Sequence, residues 1–236
     1  QGFAYLITAA LSVALGFLLS FRKPANNVFY IKEGCVTTAS SWIALSLIGC
    51  LPFYISREIP SFTDALFETV SGFTTTGASI LTEVESLSHC ALFWRSFTHW
   101  IGGMGVLVFL LAFIPMTGGS HINLMKAEST GPAVGKLVPK IKTTARILYI
   151  TYFCLTLLQF IFLLFGKVPV FDSFCIAFGT AGTGGYSNYN DSFASSSNYA
   201  IWVTTIFMIL FGFNFNFYYL VLFGNLKKAL RMEELR

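Results

Sequence analysis

The chain has 236 residues, of which 55% are hydrophobic and only 11% are charged, and its formal net charge is +4. Soluble domains carry about 25% charged residues, so this composition excludes an ordinary soluble protein and predicts a polytopic membrane protein. The small positive charge does not indicate a nucleic acid as a partner, because the basic residues cluster between apolar runs.

Five charge-free runs are long enough to cross a bilayer, which takes roughly 20 apolar residues in a helix. They occupy residues 2–21, 34–56, 96–125, 147–166 and 192–226. The two longest runs exceed the thickness of a bilayer, so we expect their helices to tilt, break or extend into the cytosol. The first run does not fit the pattern of the others and predicts a peripheral helix.

Two shorter segments echo each other along the chain. One reads Gly72-Phe-Thr-Thr-Thr-Gly77-Ala-Ser79 and the other reads Gly179-Thr-Ala-Gly-Thr-Gly184-Gly-Tyr-Ser187. Each has glycines five residues apart with threonines between them, so the echo pairs Gly77 with Gly184. Each segment could span the membrane, or it could dip into the membrane and return to the same side.

The distribution of charge decides between these two possibilities, because lysine and arginine concentrate in cytoplasmic loops. If both segments dip, the loops 22–33, 121–146 and 227–236 share one side and carry 12 of the 15 basic residues. The other side then carries 3 basic residues and 7 of the 11 acidic ones. A span at 173–190 would weaken this bias, so we predict that both segments are re-entrant.

The predicted fold class is therefore an all-α polytopic membrane protein with tandem helix–pore-loop–helix repeats. The first unit joins a span at 34–56, a dip at 61–81 and a span at about 92–115, and the second joins 147–166, 170–187 and about 199–223. Irregular backbone at membrane depth is tolerated only where protein buries it or where it lines a watery cavity. Two units cannot enclose a pore but four can, so we expect two of four repeats here.

Segments rich in glycine and threonine suit an ion-selectivity filter. A potassium ion exchanges its water for rings of backbone carbonyls, and glycine adopts the unusual dihedral angles that this requires. Threonine hydroxyls can hold the filter strand by bonds to their neighbours. The candidate K+ ligands are the main-chain carbonyls of Thr74, Thr75, Thr76, Gly77, Gly182, Thr183 and Gly184.

Short pore helices are expected at about 62–72 and 171–178, with their negative C-terminal ends toward the filter. Asp64 and Asp172 lie near the starts of these helices. They could cap free backbone N–H groups, or they could form a vestibule that attracts cations. Three further acids could add to that field or be ordinary loop charges: Glu58, Glu83 and Glu85.

Arg95 interrupts an apolar stretch, and charges within a membrane usually have a partner. We predict an ion pair between Arg95 and Glu68; an arginine that snorkels to the interface is the alternative. Gly102, Gly103 and Gly105 indicate a close approach of helices. The scattered histidines are predicted to be surface or interface residues: His89, His99 and His121.

Four motifs together resemble the Trk-type (TrkH-like) potassium-uptake membrane subunits of prokaryotes, within the Trk/Ktr/HKT superfamily. They are Asp64-Ala-Leu-Phe-Glu68, Ser71-Gly-Phe-Thr-Thr-Thr-Gly-Ala-Ser79, Trp100-Ile-Gly-Gly-Met-Gly-Val106 and Ala127-Glu-Ser-Thr-Gly-Pro132. The resemblance covers nearly the whole chain and implies that the chain corresponds to the N-terminal half of a family member. It also implies that Gly77 and Gly184 are the critical filter glycines. The implied divisions are the end of a peripheral helix pair and a loop (1–33), a first repeat (34–118), a cytoplasmic linker (119–142), a second repeat (143–226) and a basic cytoplasmic segment (227–236).

The resemblance implies potassium uptake across the cytoplasmic (inner) membrane, with K+ as the transported ion and no covalent cofactor. It also implies a homodimer embedded in membrane lipid, with a cytosolic ring of nucleotide-binding regulatory subunits and no nucleic acid partner.

Two other classes of function compete with this interpretation. A secondary transporter of another small cation or solute is one, but such carriers often have inverted repeats, and these repeats run the same way. A membrane-embedded enzyme is the other, but the sequence offers no paired intramembrane carboxylates, no Ser–His pairing and no metal-ligand spacing. We therefore predict that the protein is not an enzyme.

Overall fold

The structure, a computed structural model, describes residues 2–21, 31–105, 141–213, 217–218 and 221. Within these ranges the secondary structure is helical and contains no strand. The helices are α1 (Gly2–Ser20), α2 (Ile31–Gly49), α3 (Leu51–Ile55), α4 (Phe62–Phe73), α5 (His89–Met104), α6 (Ile141–Phe165), α7 (Val170–Ala181) and α8 (Asn198–Gly212). Outside the described residues lie the motif at 127–132, the basic segment at 227–236, nearly all of the linker at 119–142, His121 and the predicted span ends at 106–115 and 214–216.

Three helical stretches of the described chain are long and apolar enough to cross a membrane: Gly2–Ser20, Cys35–Ile55 and Arg146–Phe165. They coincide with three of the predicted spans. Most side chains of α1 are exposed, and only Ala4 and Thr8 are buried. An apolar helix with so little protein contact is stable only if lipid surrounds it, which fits a peripheral membrane helix.

The two pore helices are too short to cross a bilayer. α4 and α7 have 12 residues each, which gives a length of about 18 Å, against a hydrocarbon core of about 30 Å. α7 extends three residues beyond its predicted end, through Gly179. A Cβ at Gly179 would lie only 3.0 Å from the carbonyl oxygen of Tyr186, so this helical glycine makes room for the returning chain.

Contacts at the two ends of each dip show that the chain enters and leaves on the same side. In the first unit, Ser88 follows the dip and Glu58 precedes it; the Glu58 carboxylate accepts bonds from the Ser88 backbone N–H (3.0 Å) and hydroxyl (2.5 Å). In the second unit, the hydroxyl of Tyr199 in α8 donates to the carbonyl of Phe162 near the end of α6 (3.1 Å). Both segments are therefore re-entrant, as the charge distribution predicts.

The two units are repeats with a fixed offset. Moving along the chain by 108 positions maps the start of α4 onto the start of α7 (62 to 170) and its end onto the end of α7 (73 to 181). The following helices begin alike but one position further apart (88 to 197), because Ser88 and Ser197 are their N-caps and each accepts a bond from the backbone three residues on. Helix α5 packs against both α4 and α7, so it forms the wall shared by the two pore helices.

Candidate ion-selectivity filter

The first filter segment, residues 74–78, begins where α4 ends. The backbone N–H of Thr75 bonds to the carbonyl of Gly72 (3.0 Å), and that of Thr76 bonds to the carbonyl of Ser71 (2.9 Å). The φ angle is 54° at Thr75 and 74° at Gly77. These left-handed residues turn the chain out of the helix, and the strain that a side chain suffers there explains a glycine at position 77.

The second filter segment, residues 182–186, begins where α7 ends and has the same backbone design. The N–H of Thr183 bonds to the carbonyl of Thr180 (2.8 Å), and that of Gly184 bonds to the carbonyl of Gly179 (3.1 Å). The φ angle is 53° at Thr183 and 81° at Gly185. Thr183 is therefore the equivalent of Thr75, and both follow the offset of 108.

This equivalence corrects the register of the sequence echo. Gly185, rather than Gly184, has the position and the positive φ of Gly77, and Gly184 corresponds to Thr76. The sequence echo aligns Gly72 with Gly179. In the structure Ser71 is the equivalent of Gly179, because the carbonyl of Ser71 accepts the N–H of Thr76 and that of Gly179 accepts the N–H of Gly184. The assignment of individual carbonyls as K+ ligands remains a proposal.

The two filter segments touch. A Cβ at Gly77 would collide with the carbonyl oxygen of Gly184. In the first segment, the hydroxyl of Thr74 donates to the carbonyl of Val70 (2.8 Å) and lies 2.7 Å from the hydroxyl of Thr76. Threonine hydroxyls thus tie the strand to α4. The C-terminal, negative ends of α4 and α7 lead directly into these segments, which is the polarity that favours a cation.

Glu68 and Arg95 form a buried ion pair behind the first segment. Arg95 Nε lies 2.5 Å from Glu68 Oε1, and the two side chains are 4% and 0% exposed. The carboxylate of Glu68 also accepts bonds from the hydroxyl of Ser79 (3.0 Å) and the N–H of Ile80 (3.1 Å). Arg95 therefore does not snorkel to an interface; the pair fixes the chain just beyond the filter.

Arg95 also joins the first segment to the second. Its Nη1 donates to the carbonyl of Ser187 (2.9 Å), and its Cζ lies 3.6 Å from the centroid of the Tyr186 ring. The Tyr186 hydroxyl lies 3.1 Å from the carbonyl of Glu68 and 3.2 Å from that of Ala78. One buried cluster thus holds both filter segments from behind.

Two members of this region were missed as site residues in the sequence. Tyr186 is an aromatic residue inside a glycine-rich motif, a signal that a bulky group packs behind the filter. His99 is fully buried, so the prediction that it is a surface or interface residue is wrong. His89 is exposed at the start of α5, as predicted for it.

The two aspartates have different surroundings. Neither aspartate is the N-cap of its helix: that position is Ser61 in α4, whose hydroxyl accepts a bond from the N–H of Asp64 (3.4 Å), and Pro169 in α7. Both aspartates lie in the first turn, where a negative charge suits the positive end of the helix. The carboxylate of Asp172 accepts bonds from Asn188 Nδ2 and from the hydroxyl of Tyr189, both at 2.8 Å. Asp172 therefore anchors the loop that leaves the second filter, and its bond to Tyr189 raises the pKa of that phenol to about 12.

The outer loops that follow the two filters are joined to each other. Glu85 accepts a bond from the N–H of Asn190 (3.0 Å), whose side-chain oxygen accepts one from the N–H of Val84 (2.7 Å). Glu58 holds Ser88, as described above. Glu58 and Glu85 therefore organise these loops.

The family model for TrkH, described as a cation transport protein, matches residues 1–236. The chain is 36% identical to the Trk system potassium uptake protein TrkG of Escherichia coli over 99% of its own length and 49% of the relative's. It is 34% identical to the Trk system potassium uptake protein TrkH of Salmonella typhimurium, over 100% of this chain and 50% of that protein.

The fold agrees with these matches. The crystal structure of the potassium transporter TrkH from Vibrio parahaemolyticus superposes with a TM-score of 0.80 and 26% identity, over 100% of this chain and 48% of that one. The chain thus spans about half the length of the relatives that it matches, which fits two of four repeats. With its membrane-spanning helices, re-entrant pore helices and paired filter segments, the chain belongs to the TrkH family of cation transport proteins.

Proposed function

We propose that this chain supplies two of the four quarters of a potassium-selective pore, as part of the translocating subunit of a Trk-type uptake system. The observation that carries the proposal is the contact between the two filter segments at Gly77 and Gly184. Two equivalent filter segments in contact, with both pore helices packed on α5, are the arrangement that a ring of carbonyls around a central ion needs.

The transported K+ is coordinated in this proposal by main-chain carbonyls of residues 74–77 in the first segment and 182–185 in the second. The offset between the repeats assigns Gly185 to the place that Gly77 holds. The negative ends of α4 and α7 lower the energy of a dehydrated cation between them. The protein makes and breaks no covalent bond and needs no cofactor for this task.

The names of the relatives specify potassium uptake and the Trk system; the membrane and the partners proposed next follow from the family resemblance of the sequence motifs. We place the protein in the cytoplasmic (inner) membrane, as a homodimer that binds a cytosolic ring of nucleotide-binding regulatory subunits. Copurification of a tagged complete protein with an untagged copy and with the regulatory subunit tests these two partners. Recovery of a monomer without either partner would contradict them.

Growth of cells that lack their own potassium systems tests the transport function. At low external K+, cells that make the complete transporter and its cytosolic partner should grow and cells without them should not. At high external K+ both should grow. The cells with the transporter should also accumulate Rb+, used as a tracer for K+. Gly77→Ser should abolish this rescue, whereas Gly16→Ser, at a position in α1 with no atom near its Cβ, should preserve it. A well-inserted protein that supports no K+-dependent growth, or that takes up Na+ equally well, would overturn the proposal.

A further inference from the structure

The ring of Tyr186 is held between two side chains of α5. Its centroid lies 3.9 Å from that of the His99 ring, and the two planes differ by 13°. The guanidinium carbon of Arg95 lies 3.6 Å from the same centroid. Two groups cannot share the space over one face of a ring, so Arg95 and His99 cover opposite faces. They are four residues apart, one helical turn, and the aromatic ring fills the gap between them.

The hydroxyl end of Tyr186 is held as well. It lies within hydrogen-bond distance of the carbonyls of Glu68 in α4 and Ala78 in the first filter segment. The side chain thus begins in the second filter segment, passes between two residues of α5 and reaches the first. It is 4% exposed, so the whole ring is enclosed.

His99 forms the back wall of the second filter. A Cβ at Gly184 would collide with the imidazole ring, and a Cβ at Gly182 would come 2.5 Å from the carbonyl oxygen of His99. The imidazole ring thus has the backbone of Gly184 beside it and Tyr186 stacked on its face.

We propose that Tyr186 and His99 are positioning residues that set the ion selectivity of the second filter segment. They act through Gly184 and Ser187. His99 limits how far the backbone at Gly184 can move back, and the Tyr186 ring holds the guanidinium of Arg95, which donates to the carbonyl of Ser187. In a filter that selects by the size of its carbonyl ring, carbonyls that can move inward accommodate the smaller Na+. The inference rests on the proposed transport function and adds two side chains that touch no ion.

The test uses the complete transporter in cells without other potassium systems and compares Tyr186→Leu and His99→Leu with the wild type. Both should lower the discrimination of K+ over Na+ about three- to tenfold, the size of effect that one aromatic contact carries. The half-saturation constant for K+ should rise by a similar factor. Tyr186→Phe keeps the ring between Arg95 and His99, so it should retain the discrimination of the wild type.

Matched controls are Tyr54→Leu in α3 and His89→Leu in α5, which change the same residue types at exposed positions away from the filters. His99→Asn, a smaller planar side chain, provides a milder variant if leucine prevents folding, and it should give an intermediate selectivity. An unchanged K+/Na+ ratio in folded Tyr186 and His99 variants would overturn the inference, as would a Tyr186→Phe protein no better than Tyr186→Leu. Absence of K+ uptake by the wild type would instead overturn the proposed function.

Discussion

Gly77 lies directly against the carbonyl oxygen of Gly184, so the backbones of the two filter segments meet without a side chain between them. Gly77 needs to be glycine for two independent reasons, its φ of 74° and this contact. Gly185, its equivalent in the second repeat, has a φ of 81°, but no atom lies within 4 Å of the place that a Cβ would occupy. The two repeats thus share a backbone conformation and differ in packing.

We expect Gly77→Ala to damage the protein far more than Gly185→Ala. At Gly185 the substitution should cost only the strain of a left-handed alanine, about 1–2 kcal/mol. At Gly77 the same strain is added to a collision with backbone, which cannot move aside cheaply. Rb+ uptake and thermal stability in detergent measure the two effects, with Gly16→Ala in α1 as the control.

Equal losses of Rb+ uptake and of thermal stability at Gly77 and Gly185 would show that backbone strain alone explains the effect of both substitutions. That result would contradict a direct contact between the two segments.

The ion pair of Glu68 and Arg95 should show strong coupling. Removing one partner leaves the other charge buried and unpaired, which typically costs about 3–5 kcal/mol. We expect Glu68→Ala and Arg95→Ala each to lower the melting temperature strongly, and the double variant to lose less than the sum. A double-mutant cycle on thermal unfolding of purified protein measures this coupling.

Strictly additive losses would mean that the two residues do not depend on each other. Because Glu68 also holds Ser79 and Ile80, Glu68→Gln provides a useful comparison. It keeps an acceptor for those bonds and removes the charge, so it separates the ion pair from the other contacts.

The membrane spans, the re-entrant segments and the partner of Arg95 could be predicted because each depends on a simple rule. Long apolar runs indicate spans, the distribution of basic residues fixes the topology, and a charge at membrane depth requires a counter-charge. Glu68 and Arg95 are 27 positions apart in the sequence and in contact in the structure. The rule that a buried charge needs a counter-charge applies whatever this separation is.

The register of the second filter and the role of His99 could not be predicted in the same way. The segment 182–185 contains three glycines, and only the hydrogen bonds that end α7 decide which of them matches Gly77. His99 is buried because Tyr186, 87 positions further along the chain, folds back onto α5. No local pattern in the sequence of α5 records that contact.

The close approach of α4 and α5 provides a further prediction. A Cβ at Gly72 would collide with the side-chain oxygen of Thr98, and would lie 2.9 Å from its Cβ. Alanine normally stabilises a helix interior relative to glycine by about 1 kcal/mol, but here it should destabilise the protein, because the pore helix must move away from α5. Gly16→Ala should show the ordinary, neutral or stabilising effect in the same thermal unfolding assay.

Thr98→Ala removes the nearest atom, so we expect it to restore part of the stability that Gly72→Ala loses. A Gly72→Ala protein as stable as the wild type would contradict the close packing of these two helices.

The bond between Tyr189 and Asp172 makes stability depend on pH in a defined range. The hydrogen bond to the carboxylate, followed by burial, raises the pKa of the phenol from 10.0 to about 12. The folded protein thus favours the neutral phenol more than the unfolded chain does. The resulting contribution to the free energy of unfolding is complete below pH 10 and is lost as the pH rises from 10 to about 12. Tyr189→Phe has no such contribution to lose, so its melting temperature should fall less than that of the wild type between about pH 9 and about pH 11.

Asp172→Asn should behave like Tyr189→Phe, because the charge that opposes ionisation of the phenol is gone. Because the side chain of Tyr189 is 39% exposed, the difference should be small, and an identical pH dependence in all three proteins would mean that the bond does not persist in the folded state.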